Sequence, residues 1–535
     1  MTPRQTPTTP RSFFKPTAPT KTSEDIPKAY LPQEYEWSLW VGDPGGSSSY
    51  PESLPRSPST VIQVNVSANI LGMLARPLIS SDLVFLADTQ GVYALRRSSG
   101  ELVWGIELYF NHLRFRESGY PQPVSKWRAL GLDRFVKSYG VGKHVYVATS
   151  SSATGGNALL LALDKRTGNI VWRVELAPEP GVHSSVSISS NTIVAEGLVF
   201  VGSLRDEGYV FCVAEEGRIL WRRALGGNMV GLAYGNGVLY AVSKALYAIN
   251  STSGNVLWVY QCSDCSAPIY RDGYVFVVEY GRLIALSATS GEVVWRKDLG
   301  IEVDKSGTWH DPYVAVGREA VYSSRGLGSK PLSVFATDFK GSVLWEFTVL
   351  PAENPSKPIA ASDVVLLPVR GVKEVKVYVL WRSGQKLYEI ALPQKEEGWM
   401  PVISAAYGEI HVLVDSSTLY ILRDNTLPEV LNISVELKEV TAKMRIEAVA
   451  RDRQSSIYRV LLVYSINCSK WLYRDMNPAR TYLTEPVGGY GYIDEPYAIE
   501  LEVGPGTSLE FYIVIIDRVG NYIKTEVRAY KIHSS

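Results

Sequence analysis

The densest group of side chains able to do chemistry is Thr308-Trp309-His310-Asp311-Pro312. A carboxylate beside an imidazole can orient it, and an indole can stack on a sugar or quinone ring. His183, in Gly181-Val182-His183-Ser184, stands in a similar setting. Trp309, His310, Asp311 and His183 are therefore the candidates for holding a ligand or cofactor. Adjacent residues of a strand point to opposite faces, so sequence neighbourhood alone does not bring His310 and Asp311 together. In the competing reading Trp309 packs and His310 makes a structural hydrogen bond. A second group is basic: Arg114, Arg116, Lys126, Arg128 and Arg134 stand in one stretch with only Glu117 and Asp133 against them. That excess suits an acidic partner surface or an acidic sugar.

No reaction is declared by motif. There is no Gly-x-Ser-x-Gly elbow, phosphate loop or His-Glu-x-x-His, so hydrolase and nucleotide readings lack support and no catalytic residue is assigned. Cys262 and Cys265 have the spacing of a metal half-site or a local disulfide, but Cys212 and Cys468 are remote and no second half-site is visible, so no metal is expected. The 54 basic and 54 acidic residues cancel, which leaves no long-range field for nucleic acid. No apolar run is long enough to span a membrane.

The elements that would position these groups are repeats. Leu161-Ala162-Leu163-Asp164, Thr167-Gly168 and Ile170-Val171-Trp172 form one copy: a β-type run, a Gly turn and a second run closing on Trp. Others close on Trp104, Trp221, Trp258, Trp295 and Trp345, and a seventh has Tyr388 in that place. Each is preceded by another strand pair, such as Pro268-Ile269-Tyr270, Asp272-Gly273 and Tyr274 to Val278. Four-stranded antiparallel units in series predict an all-β protein built on a β-propeller. An eighth unit needs an N-terminal strand, Val61 to Val66, to complete it. The expectation is eight blades, with seven as the alternative, and the six Trp residues as docking groups between blades rather than chemistry.

The x-Ala-x-Asp-x-x-x-Gly-x-x-x-Trp pattern, best seen from Leu161 to Trp172 and again from Ala285 to Trp295, resembles the tryptophan-docking repeats of quinoprotein dehydrogenases and their relatives over roughly residues 61–425. The resemblance implies a PQQ-like propeller. It does not imply catalysis, because outer-membrane assembly scaffolds share the repeat. The dehydrogenases carry adjacent cysteines over the quinone and an acidic set around Ca²⁺. No Cys-Cys pair occurs here.

After Asp424 the repeat stops. Val430 to Val435, Met444 to Ala448, Val460 to Tyr464, Ala498 to Val503 and Leu509 to Ile516 read as strands of a β-sandwich, similar to fibronectin type III or immunoglobulin-like modules. The Thr- and Pro-rich start reads as a flexible linker. The domains expected are thus 1–58 linker, 59–425 propeller and 426–535 sandwich. Four Asn-x-Ser/Thr acceptors, at Asn65, Asn250, Asn432 and Asn467, are compatible with an exported surface protein, and the low Cys content points towards a thermophile. The resulting expectation is a non-catalytic scaffold, exported or in the cell envelope, that presents a ring face to a protein or glycan and needs no cofactor. The alternatives are a PQQ- and Ca²⁺-dependent oxidoreductase of alcohols or sugars, a carbohydrate-cleaving propeller, and a cytoplasmic location.

Overall fold

The computed structural model describes the chain outside residues 1–13, 17–25, 34–35, 38, 40–42, 44–45, 47, 52–53, 56, 66–75, 109–126, 131, 152–155, 179–185, 205–207, 300–313, 325–332, 350–353, 396–399, 416–417, 439–442, 453, 456, 480–494 and 533–535. Among the described residues the protein is all-β apart from one short 3-10 turn, Lys28–Tyr30. It divides into two compact units: residues 34–56 with 60–423, and residues 1–33 and 57–59 with 424–535. No helix among the described residues is long and apolar enough to cross a membrane.

The larger unit is a succession of sheets, eight among the described residues, each with a four-stranded antiparallel core; the first, third and seventh count five strands. They occupy 78–107, 134–176, 187–224, 231–260, 269–298, 314–348, 354–393, and 402–423 together with 60–65. In the fourth, Gly231–Gly235, Val238–Val242, Leu246–Asn250 and Val256–Tyr260 follow in spatial order. Asn236-Gly237 joins its first two strands with both residues at positive φ, the geometry that suits the twist of a two-residue hairpin. Its inner strands are buried while the outermost alternates between exposed and half-buried. In propellers the first strands of such units line the axis.

Each indole N–H of Trp104, Trp172, Trp221, Trp258, Trp295 and Trp345 donates to a carbonyl in the next sheet's third turn, those of Lys165, Glu215, Ser251, Ala288, Phe339 and Arg382, at 2.6 to 3.0 Å. The turn glycine makes room for the ring. At Gly291, with φ +74°, a Cβ would stand 2.6 Å from the indole of Trp258, closer than packed atoms approach. The motif's Ala has its reason here as well. Ala248 lies opposite Trp258 on one neighbouring strand and Tyr240 on the other. A small side chain between them lets the indole and the phenol meet at 5.9 Å. The same trio recurs as Phe85-Ala94-Trp104, Tyr146-Ala162-Trp172, Phe276-Ala285-Trp295 and Tyr322-Ala336-Trp345. In the third sheet Cys212 takes the Ala position between Phe200 and Trp221. The motif's Asp serves the turn: Asp164 Oδ1 accepts Thr167 N and Thr167 Oγ1, each at 2.8 Å, and these bonds hold its carboxyl below the usual range.

The eighth sheet is completed from the other end of the unit, with Thr60–Asn65 pairing antiparallel to Thr418–Arg423. Val64 packs on Gly100 as an indole does elsewhere. The seam also carries charge. Buried Glu409 pairs with Arg423 Nε at 2.6 Å, Arg97 Nη1 at 3.2 Å and His411 Nε2 at 3.1 Å.

In the smaller unit one sheet runs Glu429–Lys438, Lys443–Arg451, Glu495–Glu502, Asn477–Pro478. The other runs Leu472–Asp475, Ile457–Ile466, Ser508–Asp517, Arg528–Ile532, Phe14–Pro16, with Tyr522–Lys524 also on Ser508–Asp517. Met444, Ile446 and Ala448 share one core with Leu462, Phe511 and Ile513 from the other sheet. The alternate set Leu461, Val463, Val514 and Ile516 is covered by buried Ile26 with Tyr30 and Leu31. The run from Phe511 to Ile516 is continuously hydrophobic because both faces of that strand are covered.

The start of the chain thus departs from the expectation of a flexible linker over 1–58. Phe14–Pro16 is a paired strand. In the larger unit Trp37, Leu39, Tyr50 and Leu54 are buried, with bridges from Trp37 to Ile79 and Leu39 to Gly140. Thr and Pro dominate the composition, but the few large apolar residues among them dock, and their burial outweighs the solvating bias of their neighbours.

Candidate functional site

Of the residues singled out from sequence, His183, Trp309, His310 and Asp311 lie outside the described residues, as do Arg114, Arg116 and Lys126. Arg128 and Arg134 are described: Arg128 reaches the second sheet, and Arg134 begins that sheet's first strand. Arg128 Nη2 donates to Thr167 O at 2.8 Å and its Nη1 to Asn169 Oδ1, so its guanidinium covers the very turn on which Trp104 docks. Arg134 Nη1 donates to Asn157 O. Arg128 thus braces the insertion against the second sheet while remaining at the surface, and the Arg134 bond lies within that sheet's own residues.

That insertion also contains a strand that its sequence does not announce. Trp127–Ala129 pairs parallel to the outer strand Leu102–Glu107, with Gly105 opposite Trp127. Three residues without alternating pattern carry too little signal for a strand to be read.

Cys262 and Cys265 form a disulfide. It lies in the connection between the fourth and fifth sheets, where Ser263 N donates to Glu279 Oε1 at 2.9 Å and Cys265 bridges to Glu279. Cys212 is buried and its thiol is pushed up to about 12 by that burial. Neither pairing nor protonation leaves a ready thiolate at these three positions.

Two ionisable clusters were not foreseen. In the eighth-sheet seam, burial pushes the Glu409 carboxyl up, but the His411 hydrogen bond and the Arg97 and Arg423 charges outweigh it and hold Glu409 below its ordinary value. Burial depresses His411 more than Glu409 raises it, so the imidazole is neutral. Arg97 and Arg423 share the Glu409 carboxylate, and both belong to the fold.

The second cluster is Asp424, Asp452 and Asp517 in the smaller unit, whose ligand oxygens lie within 4.8 Å of one another. Asn521 N donates to Asp517 Oδ1 at 2.8 Å, Asn521 Nδ2 to Asp517 Oδ2 at 2.8 Å, and Ser455 Oγ to Asp424 Oδ2. Burial first, and then the charges of Asp452 and Asp424, push the Asp517 carboxyl up to about 7. Three carboxylates this close share protons at neutral pH or face a divalent cation. The sequence signal was slight: each Asp adjoins an Arg, as Arg423-Asp424, Arg451-Asp452 and Asp517-Arg518.

Each unit has a cleft open to solvent. One of about 420 Å³, in the larger unit, is lined by Asp43, Tyr234, Asn236, Tyr270 and the Arg271–Asp272 pair. The other, about 710 Å³, lies in the smaller unit beside the stacked rings of Tyr30 and Tyr473.

The profile of the family described as "Outer membrane protein assembly factor BamB" matches residues 156–271 and 266–398. The protein of that name from Moranella endobia (strain PCIT) is 22% identical over 417 residues, covering 73% of this chain and 92% of that protein. The one from Yersinia pestis is 23% identical over 270 residues, covering 46% of this chain and 62% of that protein. Among solved structures, the quinohemoprotein alcohol dehydrogenase from Comamonas testosteroni superposes with a TM-score of 0.53 at 14% identity, over 76% of this chain and 84% of that one. At that identity the likeness speaks for the fold alone. With the repeat, the indole docking between successive sheets and these matches together, the repeat-bearing unit of this chain is a β-propeller whose repeats are similar to those of the PQQ-like type.

Proposed function

We propose that this protein is a non-catalytic scaffold of a cell envelope, whose propeller presents a ring face to a protein partner. The observation that carries the reading is the match to an outer membrane protein assembly factor along nearly the whole length of that relative. The geometry agrees with it. The ionisable groups of the ring seam are engaged with one another, and Arg128 braces the insertion while keeping a surface charge. The basic set Arg114, Arg116, Lys126 and Arg128 is the candidate contact for an acidic protein surface.

The sandwich acts as a spacer or second contact. Its strand order, Glu429–Lys438, Lys443–Arg451, Glu495–Glu502 and Asn477–Pro478 facing Ile457–Ile466, Ser508–Asp517 and Arg528–Ile532, matches the ABED and CFG sheets of an immunoglobulin-type domain, which supports that assignment.

The test is twofold. A photo-crosslinker at position 128 in the full chain, incubated with an envelope fraction, is expected to trap a discrete protein. Calorimetry with pyrroloquinoline quinone and Ca²⁺ is expected to show no binding. Tight 1:1 binding of the quinone that His310→Ala abolishes would replace the scaffold by an oxidoreductase of alcohols or sugars.

A further inference from the structure

The outer strands of the sheets are open edges, and an open edge invites another strand unless a charge discourages it. The residue after the docking aromatic shows how this chain manages the hazard. It is Arg173 in the second sheet, Arg222 in the third, Arg296 in the fifth, Glu346 in the sixth and Glu389 in the seventh. Two sheets depart from this. In the first the residue is Gly105, and there the edge is covered by Trp127–Ala129 in parallel pairing. In the fourth it is Val259, and among the described residues no strand pairs beyond Val256–Tyr260.

The fourth edge is also bare of polar alternatives. Val256-Leu257-Trp258-Val259-Tyr260 holds no charged or amide side chain, and Val256, Leu257 and Val259 are 39%, 53% and 41% exposed. Thr60–Asn65, which closes the eighth sheet, presents exposed Gln63 instead. At the position after the docking aromatic, then, five open edges carry a charge, and the covered first edge has Gly105 there. The Val256–Tyr260 edge shares with the covered one the lack of a charge after the aromatic, but is uncovered among the described residues.

We propose that Val256–Tyr260 is a docking edge that takes up an extended, uncharged segment of a partner protein as a fifth strand. Main-chain hydrogen bonds would give affinity, and Leu257 and Val259 would select apolar side chains on their face of the new strand. The first sheet sets the mode of pairing. It is parallel, whereas two copies of one edge strand related by a perpendicular two-fold axis pair antiparallel, so the precedent favours a heterologous segment over a second copy. This names the kind of partner for the scaffold reading above and rests on it.

The full-length protein is titrated into the labelled peptide acetyl-Gly-Thr-Val-Thr-Tyr-Thr-Val-Gly-amide, read by fluorescence anisotropy and by amide hydrogen exchange. The expected result is saturable binding with slowed exchange in 256–260. Val259→Arg is expected to weaken it about tenfold, while Val171→Arg, beside the charge already present in the second sheet, leaves it unchanged. Matching circular dichroism and melting temperature establish that both variants are folded. Absence of protection in 256–260, or equal binding by the two variants, overturns the proposal. So does a dimer, seen by sedimentation, that Val259→Arg dissociates, since the edge then belongs to a second copy. Crosslinking to the envelope fraction is repeated with Val259→Arg. A partner still trapped by a protein that fails to bind peptide removes the docking edge and leaves the scaffold standing. Peptide bound at 256–260 without any envelope partner does the reverse.

Discussion

Glu409 in the propeller and Asp517 in the sandwich are both carboxylates withdrawn from water, and they answer pH in opposite ways. Glu409 has two arginines and an imidazole against it and is held ionised. Asp517 has two further carboxylates beside it, with backbone and amide N–H groups as compensation, and its carboxyl rises to about 7. Burial is common to both, so burial does not set the sign. The neighbours do. A folded value below the unfolded one gives stability that is present at neutral pH and lost as pH falls through the folded value. A folded value above it gives stability that is complete below about pH 4 and is lost as pH rises through about 7. His411, depressed by burial, acts with Glu409: below pH 6.5 the unfolded chain binds a proton that the folded seam refuses.

The contrast is broken most directly at its charged end. Glu409→Gln leaves Arg97 and Arg423 partly buried without their counterion, and the propeller is expected to lose about 3–5 kcal/mol in urea unfolding at pH 7. A loss below about 1 kcal/mol would show that Val64 on Gly100 closes the ring without help. Trp258→Ala, which removes an indole docked on the uncharged carbonyl of Ala288, is expected to cost a similar 3–5 kcal/mol but with no pH dependence between 5 and 8, which separates packing from electrostatics. Asp517→Asn keeps the shape of the cluster and removes its titration. Calorimetry should find the sandwich about 3 kcal/mol more stable than wild type at pH 8 and no more stable at pH 4. Replacing Cys262 and Cys265 together by Ser opens a very short loop and is expected to cost about 2 kcal/mol at most, the smallest of the four effects.

How much of this could be read in the residues depends on whether the physical cause was local. The Gly turn, the Trp that follows it and the alternation of short runs are short-range patterns, and they led to all-β sheets in series and to the indole as a docking group. The aromatic partner of each Trp escaped notice because Tyr240 stands eighteen positions before Trp258 and meets it across Ala248. The covering of the Ser508–Asp517 strand by Ile26 joins residues almost five hundred positions apart, and Thr and Pro around Ile26 masked its role. Asp424, Asp452 and Asp517 lie on separate turns, each unremarkable among charged neighbours. Charge clusters assembled from distant turns carry no periodicity, so composition and spacing pass over them.

The strand Thr60–Asn65 pairs with Thr418–Arg423, about 360 residues later in the chain. At ribosomal rates of about 5–20 residues per second, the early strand waits roughly 20–70 s for its partner to be made. Through that interval every sheet between them can form and stack, while the circle has one open gap and two unsatisfied rims. Closure is therefore the final act of making this unit, and a chain interrupted before Thr418 is left with an exposed apolar edge at each end, a form that chaperones and proteases can tell from the finished ring.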